Sequence, residues 1–272
     1  MTPFKTAAAA ALLFIPLTAT AGGLPAPVAT VDAVDVVETR FVVTMSDGSV
    51  RQGEDLVGAV LTMGLPDATQ AQIRIDGVET DPKDPEIVLY DFSARPAAGG
   101  DWQNLCNPDS YGVRKGFPMR GTLDEHVEYH PEAPGFSLTC VGGVQAKCVR
   151  WGYKPWLPDA ADGVPMLDLY RTCMRMARAD YCGEGQGTTR NGTMIDLYDV
   201  AGIQKRETDT TVPFEAAWNT HGAVCVRHTR IPQNITLEEL ARSCPRLAAS
   251  LGDTCDEGAE GALMYNRSRT DL

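Results

Sequence analysis

Leu169-Tyr-Arg-Thr-Cys-Met-Arg-Met-Ala-Arg-Ala-Asp-Tyr-Cys-Gly183 is the stretch around which the rest of the chain can be placed. Together with the residues just before it, it carries a helical signature. Met166, Leu169, Tyr170, Cys173 and Ala177 recur at i, i+3, i+4, i+7 and i+11, the spacing of one buried helix face. Pro165 is pre-set for a first turn. Arg171, Arg175 and Arg178 fall on another face. Gly183 can adopt the left-handed conformation and is expected to end the helix. Cys173 sits on the apolar face and Cys182 at the end, with three cysteines before this pair and three after it. The helix is therefore expected to anchor disulfides.

Working outward, the cysteines and the N-terminus agree on a compartment. Residues 1–21 have the layout of a secretory leader: Lys5 in a positive n-region, an apolar run from Ala7 to Leu17, and Ala19-Thr-Ala21 as the cleavage site. The run is shorter than the ~20 residues a membrane span needs, and no cysteine at the cleavage point signals a lipid anchor. Secretion or a periplasmic location is expected, with no membrane span once the leader is removed. All eight cysteines (Cys106, Cys140, Cys148, Cys173, Cys182, Cys225, Cys244 and Cys255) lie beyond it. An even number in an exported chain reads as structural disulfides. No C-x-x-C spacing suggests a zinc ribbon or a redox pair. The connectivity stays open, although Cys244 and Cys255 are close enough in sequence to pair. The formal charge of −12 argues against nucleic acid and anionic lipid as partners.

Residues 22–31 form a Pro/Gly/Ala linker, and residues 32–95 read as strands. Thr39 to Met45 runs into an Asp47-Gly48 hairpin turn. Leu56 to Leu61 is a second apolar run, Gln72 to Asp76 alternates toward an Asp76-Gly77 turn, and Glu86 to Phe92 is a further strand. From residue 100 to 255 the chain is cysteine-rich. After the central helix comes a Gly-rich loop with an Asn191-Gly192 turn, then strands over Thr193 to Tyr198 and Gly222 to Ile231. Thr236-Leu-Glu-Glu239 is a capping box that opens a short C-terminal helix, interrupted by Pro245. Residues 256–272 read as a polar, frayed tail. The fold class expected is α+β: a strand-rich N-terminal part, then a disulfide-stapled domain rich in strands and loops, with one central helix and a short C-terminal one.

A family likeness attaches to Ala179-Asp-Tyr-Cys182, together with Asp101-Trp102, Leu105-Cys106, Lys147-Cys148, Trp151-Gly-Tyr-Lys-Pro-Trp156, Arg175-Met-Ala-Arg178, Gly192-Thr193, Phe214-Glu-Ala-Ala-Trp218 and Gly222-Ala-Val-Cys225. In these the chain resembles the bacterial ADYC domain family over roughly residues 101–230. The resemblance implies an exported, cysteine-rich protein. It brings no assigned activity and so no catalytic residues.

The remaining chemistry is weighed residue by residue. Asp180 at a helix C-terminus opposes the macrodipole, and an ion pair with a nearby arginine is its simplest compensation. The functional alternative is a metal ligand or general acid/base grouped with Arg175, Arg178, Asp196 and Asp199. Gly185 to Asp199 lacks both the phosphate-loop ending and the EF-hand series, so a hairpin with a polar face is favoured over a loose calcium site. His126 and His130 are four apart but lack the H-E-x-x-H order, and a solvated loop is favoured over zinc. Cys225 with His221 or His228 is the closest Cys–His pairing, and disulfide parity argues against it. Trp151 to Trp156 reads as packing beside a disulfide in preference to an aromatic platform.

No cofactor, metal or catalytic residue is assigned. The function expected is a non-enzymatic binding or structural module of the cell envelope, its partner an envelope protein or a small ligand. The alternative is an extracytoplasmic hydrolase or metal-assisted enzyme using acidic residues near the central helix.

Overall fold

The computed structural model describes residues 29–64, 69–160, 163–208 and 211–270. The leader and the first residues of the linker lie outside them. No helix among the described residues is long and apolar enough to cross a membrane.

The N-terminal part forms two antiparallel sheets. β1 (Val31–Val37), β2 (Arg40–Met45) and β3 (Val50–Arg51) make the first, with the expected Asp47-Gly48 turn between β2 and β3. Alternation along β2 points Phe41, Val43 and Met45 into the core. The second sheet holds β4 (Val60–Gly64), β5 (Gln70–Asp81), β6 (Asp84–Pro96), β7 (Gln103–Asn104), β8 (Gly116–Arg120) and β11 (Phe136–Cys140). Its order is β11-β8-β6-β5-β4, with β7 also on β6. Between β8 and β11, β9 (Thr122–Leu123) and β10 (Tyr129–His130) form a small hairpin.

Two local expectations change here. Asp76-Gly77 does not close a turn but lies inside β5, where the register slips against β6 between Ile75 and Gly77. A Cβ on Gly77 would stand 3.0 Å from Asp91 Oδ2, at the end of a side chain that can move aside. The apolar run from Leu56 to Leu61 is not one buried strand. A 3-10 turn over Gly53–Leu56 precedes β4, and Leu56 is buried while Val57 and Val60 are exposed.

The cysteine-rich part contains α1 (Val144–Arg150), α2 (Met166–Arg178) and α3 (Leu237–Ser243). A four-stranded antiparallel sheet packs against α2, in the order β12 (Ile195–Asp199), β15 (Met264–Ser268), β13 (Phe214–Asn219), β14 (Gly222–Val226). The fold is mixed, mostly β, with three α-helices among the described residues rather than two. α1 lacked a sequence signal because it is only two turns long; the Cys148–Cys173 disulfide fastens it to α2. α3 opens on the expected capping box, with Thr236 and Glu239 satisfying each other's amides. The tail reading is overturned: β15 is an inner strand, with Met264, Asn266, Arg267 and Ser268 all buried.

One buried apolar cluster runs from Val36 to Met264 and joins the sheets to the helices. Phe41 of β2 meets Tyr90, Phe92 and Phe136 edge-on, with ring centroids 5.5, 6.4 and 5.2 Å away. The β5–β6 hairpin end is held by ion pairs. Asp81 takes Arg150 at 2.6 Å, and Asp84 and Glu86 take Lys154 at 2.7 and 2.5 Å.

Six cysteines pair as Cys106–Cys140, Cys148–Cys173 and Cys225–Cys255. The pairing of Cys244 with Cys255 is not what forms, because Cys255 closes onto β14 through Cys225. Cys182 and Cys244 are free thiols, so these two depart from the expected set of eight bridged cysteines. They are hydrogen-bonded to each other; burial first, and then the Cys244 thiol, push Cys182 up to about 12.

Candidate functional site

The exit of α2 is where the quoted motif acts. The helix ends at Arg178, and Ala179 takes the left-handed cap (φ 50°, ψ 45°). This corrects the assignment of that cap to Gly183. A side chain on Gly183 (φ 78°) would run into the His221 carbonyl oxygen, 2.1 Å from an added Cβ. Gly183 therefore serves close approach to the β13–β14 turn.

Asp180 is fully buried, and its carboxylate organises the turn that follows. Oδ1 accepts from the amides of Gly183 and Glu184 at 3.1 and 3.2 Å, and Oδ2 from Gly185 N at 2.8 Å and Arg175 Nη1 at 2.9 Å. Arg175 is itself 5% exposed and donates to Glu128 Oε2 at 2.8 Å and to the His126 carbonyl at 2.6 Å. Tyr181 stacks on Trp218 with centroids 5.2 Å apart. Its hydroxyl donates to Glu215 at 3.0 Å and accepts from Arg230 N at 2.8 Å.

That hydroxyl belongs to a buried polar network. Glu215 and Arg230 are paired through two contacts of 2.9 and 3.0 Å, and Asn266 Nδ2 donates to Glu215 at 2.6 Å. Arg230 also donates to the last carbonyls of α2, Met176 at 2.8 Å and Ala177 at 3.2 Å. Met176 O also takes the amide of the capping residue Ala179 at 3.0 Å, so Arg230 supplements the cap at this helix end. For Glu215, burial alone would raise the carboxyl, but the Arg230 charge and the hydrogen bonds from Arg230 and Asn266 hold it below its usual range.

The acidic candidates are engaged separately. Asp196 on β12 pairs with Arg267 at 3.1 Å. Asp199 accepts the amides of Ala201, Ile203 and Gln204 and the Tyr153 hydroxyl. Neither lies in a metal-sized cluster: among the described residues no three His, Cys, Asp or Glu side chains are grouped to hold an ion. His126 and His130 belong to the β9–β10 hairpin, where Asp124 caps the turn and accepts from His130 at 3.2 Å. Cys225 is bridged and offers no thiol to His221 or His228. In the Trp151 to Trp156 stretch, Tyr153 is buried, while Trp151 is half-buried at the edge of an open cleft.

That cleft, of about 740 Å³, lies between the start of α1, the end of α2 and the loop 187–195. The Gly-rich loop is not the expected hairpin. It folds back to cap α2, with Thr188 N and Thr189 N on the Arg178 carbonyl at 3.0 and 3.3 Å and Thr188 Oγ1 on the Ala179 carbonyl at 2.8 Å. Arg178, Arg190, Lys83 and Lys147 line the cleft together with Arg150 and Arg230, against a single acid, Asp109. Of the charged residues selected as candidates from the sequence, Arg175, Arg178, Asp180, Asp196 and Asp199, Arg178 lines it. Lys83, Lys147 and Arg190 come from three distant segments and were not selected. The one local signal was Arg190, a cation set in a Gly-rich loop. Glu215 was also missed, although a carboxylate inside the apolar run Phe214-Glu-Ala-Ala-Trp218 calls for a buried partner.

In comparison with known proteins, the model of the ADYC domain family matches residues 53–232. No curated protein and no solved structure matches the chain.

Proposed function

We propose that this chain, which belongs to the ADYC domain family, is an exported, non-enzymatic binding module of the cell envelope. Its binding site is the cleft beside the end of α2. The observation carrying this reading is a division of labour among charged groups. Asp180, Glu215, Asp196 and Asp199 are consumed in ion pairs and backbone caps, whereas the cleft holds four cations without a carboxylate partner among the described residues. Its volume falls in the ordinary range of small-ligand sites. Export is supported by the leader pattern in the sequence and by three disulfides, which persist in oxidising compartments.

The reading is tested on the purified mature protein. Thermal shift against a panel of small molecules of both charge signs should find stabilising compounds, with no chemical change in them by mass spectrometry. Turnover of any panel member would sink the non-enzymatic reading in favour of the hydrolase or metal-assisted alternative. An intact mass starting near Gly22 checks the export arm.

A further inference from the structure

The chain is acidic overall, with 36 acidic side chains against 24 basic ones. The cleft inverts that balance. Arg150 and Arg230 have their own carboxylates in Asp81 and Glu215. The other four cations have none among the described residues. Arg178 gives Nη2 to the Gly185 carbonyl, and its Nε is buried with no hydrogen-bond partner. Arg190 reaches only Asn234 Oδ1, at 3.5 Å. Lys83 lies over the Tyr111 ring, 5.1 Å from its centroid. The single acid, Asp109, has its Oδ1 occupied by the amides of Tyr111 and Val113 at 2.8 and 2.9 Å.

Like charges converging on one concavity repel one another unless a counter-charge joins them, and a concave wall of low dielectric focuses their field. The cleft also has apolar lips: Tyr111 and Met194 are 80% and 81% exposed, and Trp151 lines the wall. Exposed large apolar side chains beside such a cleft fit a ligand that carries a planar or hydrocarbon body as well as charge.

We propose that the cleft binds a small anionic ligand, carrying phosphate, sulfate or carboxylate on an apolar or aromatic body, with Arg178 and Arg190 as its principal anion contacts. The proposal deepens the binding reading above and rests on it. A long polyanion is disfavoured because it would extend beyond the cleft along a chain whose formal net charge is −12.

The test is isothermal titration of the full mature chain at low salt with four probes: phenyl phosphate, inorganic phosphate, benzyl alcohol and benzylamine. Phenyl phosphate should bind most tightly, inorganic phosphate more weakly, and the other two not measurably. Raising the salt should weaken the phenyl phosphate interaction. Arg190→Met and Arg178→Met should each lower its affinity about tenfold, while Lys205→Met, an exposed cation outside the cleft, should leave it unchanged. Arg190 is exposed, so its variant keeps the test valid if Arg178→Met misfolds. Binding of benzyl alcohol or benzylamine at least as tight as that of phenyl phosphate would overturn the anion assignment and leave the binding reading standing, as would affinity unchanged in both cleft variants. Absence of binding by every probe, together with no stabilising compound in the thermal-shift panel, would overturn both.

Discussion

Asp180 Oδ2 and Arg175 Nη1 lie 2.9 Å apart, both buried, on either side of the left-handed residue that ends α2. The pair joins the last turn of the helix to the amides of Gly183, Glu184 and Gly185, so one carboxylate fixes the direction in which the chain leaves. Removing it takes one of two carboxylate partners from the buried Arg175, Glu128 remaining at 2.8 Å, and leaves the amides of Glu184 and Gly185 without their acceptor. Asp180→Ala should cost about 3–5 kcal/mol, the usual range for breaking a buried pair. Asp180→Asn retains one acceptor oxygen and should cost about 2–3 kcal/mol. Urea unfolding followed by circular dichroism measures both, and equal stability of Asp180→Ala and wild type would refute the structural role.

Glu215 and Arg230 give a pH dependence whose sign follows from their shifts. Glu215 is held below its ordinary 4.5 in the folded protein. Its contribution is therefore complete above about pH 4.5 and is lost as pH falls through the lower folded value. Glu215→Gln should destabilise the protein by about 3–5 kcal/mol at neutral pH and flatten the acid limb below pH 4.5. Adding Arg230→Met to it should recover part of the loss, because the uncompensated charge is gone. Melting temperatures from pH 3 to pH 7 decide this, and an unchanged acid limb in Glu215→Gln would contradict it.

The Cys148–Cys173 bridge encloses a separation of 25 residues and ties α1, which is short, to α2. Chain-entropy reasoning assigns a loop of that size about 3–4 kcal/mol. The double change of both cysteines to alanine should lower stability by that amount and increase amide exchange in α1 before α2. Simultaneous exchange of the two helices would argue that the bridge is not what holds α1.

Cys182 and Cys244 form the last pair. With the Cys182 thiol pushed up to about 12, almost none of it is thiolate at neutral pH, and alkylation of the native protein should be slow there. Unfolded without reductant, the chain should take alkylating label at these two positions and at none of the other six. In a separate, unlabelled sample of the native protein a mild oxidant should join them, the two thiols giving up two hydrogens to the oxidant, with little change in fold. Label at Cys148 or Cys225 in the untreated protein would contradict the pairing described above.

What could be read in advance depended on how local the determinant was. α2 was legible because its apolar residues repeat within one element, and α3 because Thr236 and Glu239 cap each other three residues apart. β2 and the middle of β5 and β6 were legible from alternation. β15 was not. Asn266 and Arg267 look like solvent residues in sequence, and they are buried only because Trp218, Glu215 and Asp196 reach them from strands about 50 to 70 residues away. The Gly-rich loop was misread for a related reason. Its amides serve the end of α2, and nothing within the loop announces that acceptor.

The sequence by itself determined the helix and its buried face, the capping box, the early strands and the family likeness centred on Ala179-Asp-Tyr-Cys182. Each rests on periodicity or on residues a few positions apart, where backbone geometry dictates which side chains meet. The tertiary structure alone decided the cysteine partners, the inner place of β15, the transfer of the helix cap to Ala179, and the gathering of Lys83, Lys147, Arg178 and Arg190 at one cleft. Those depend on which distant segments pack together. Disulfides, buried ion pairs and clefts are formed by contacts across the fold, so the identity of each residue constrains its partner's chemistry without specifying its position in the chain.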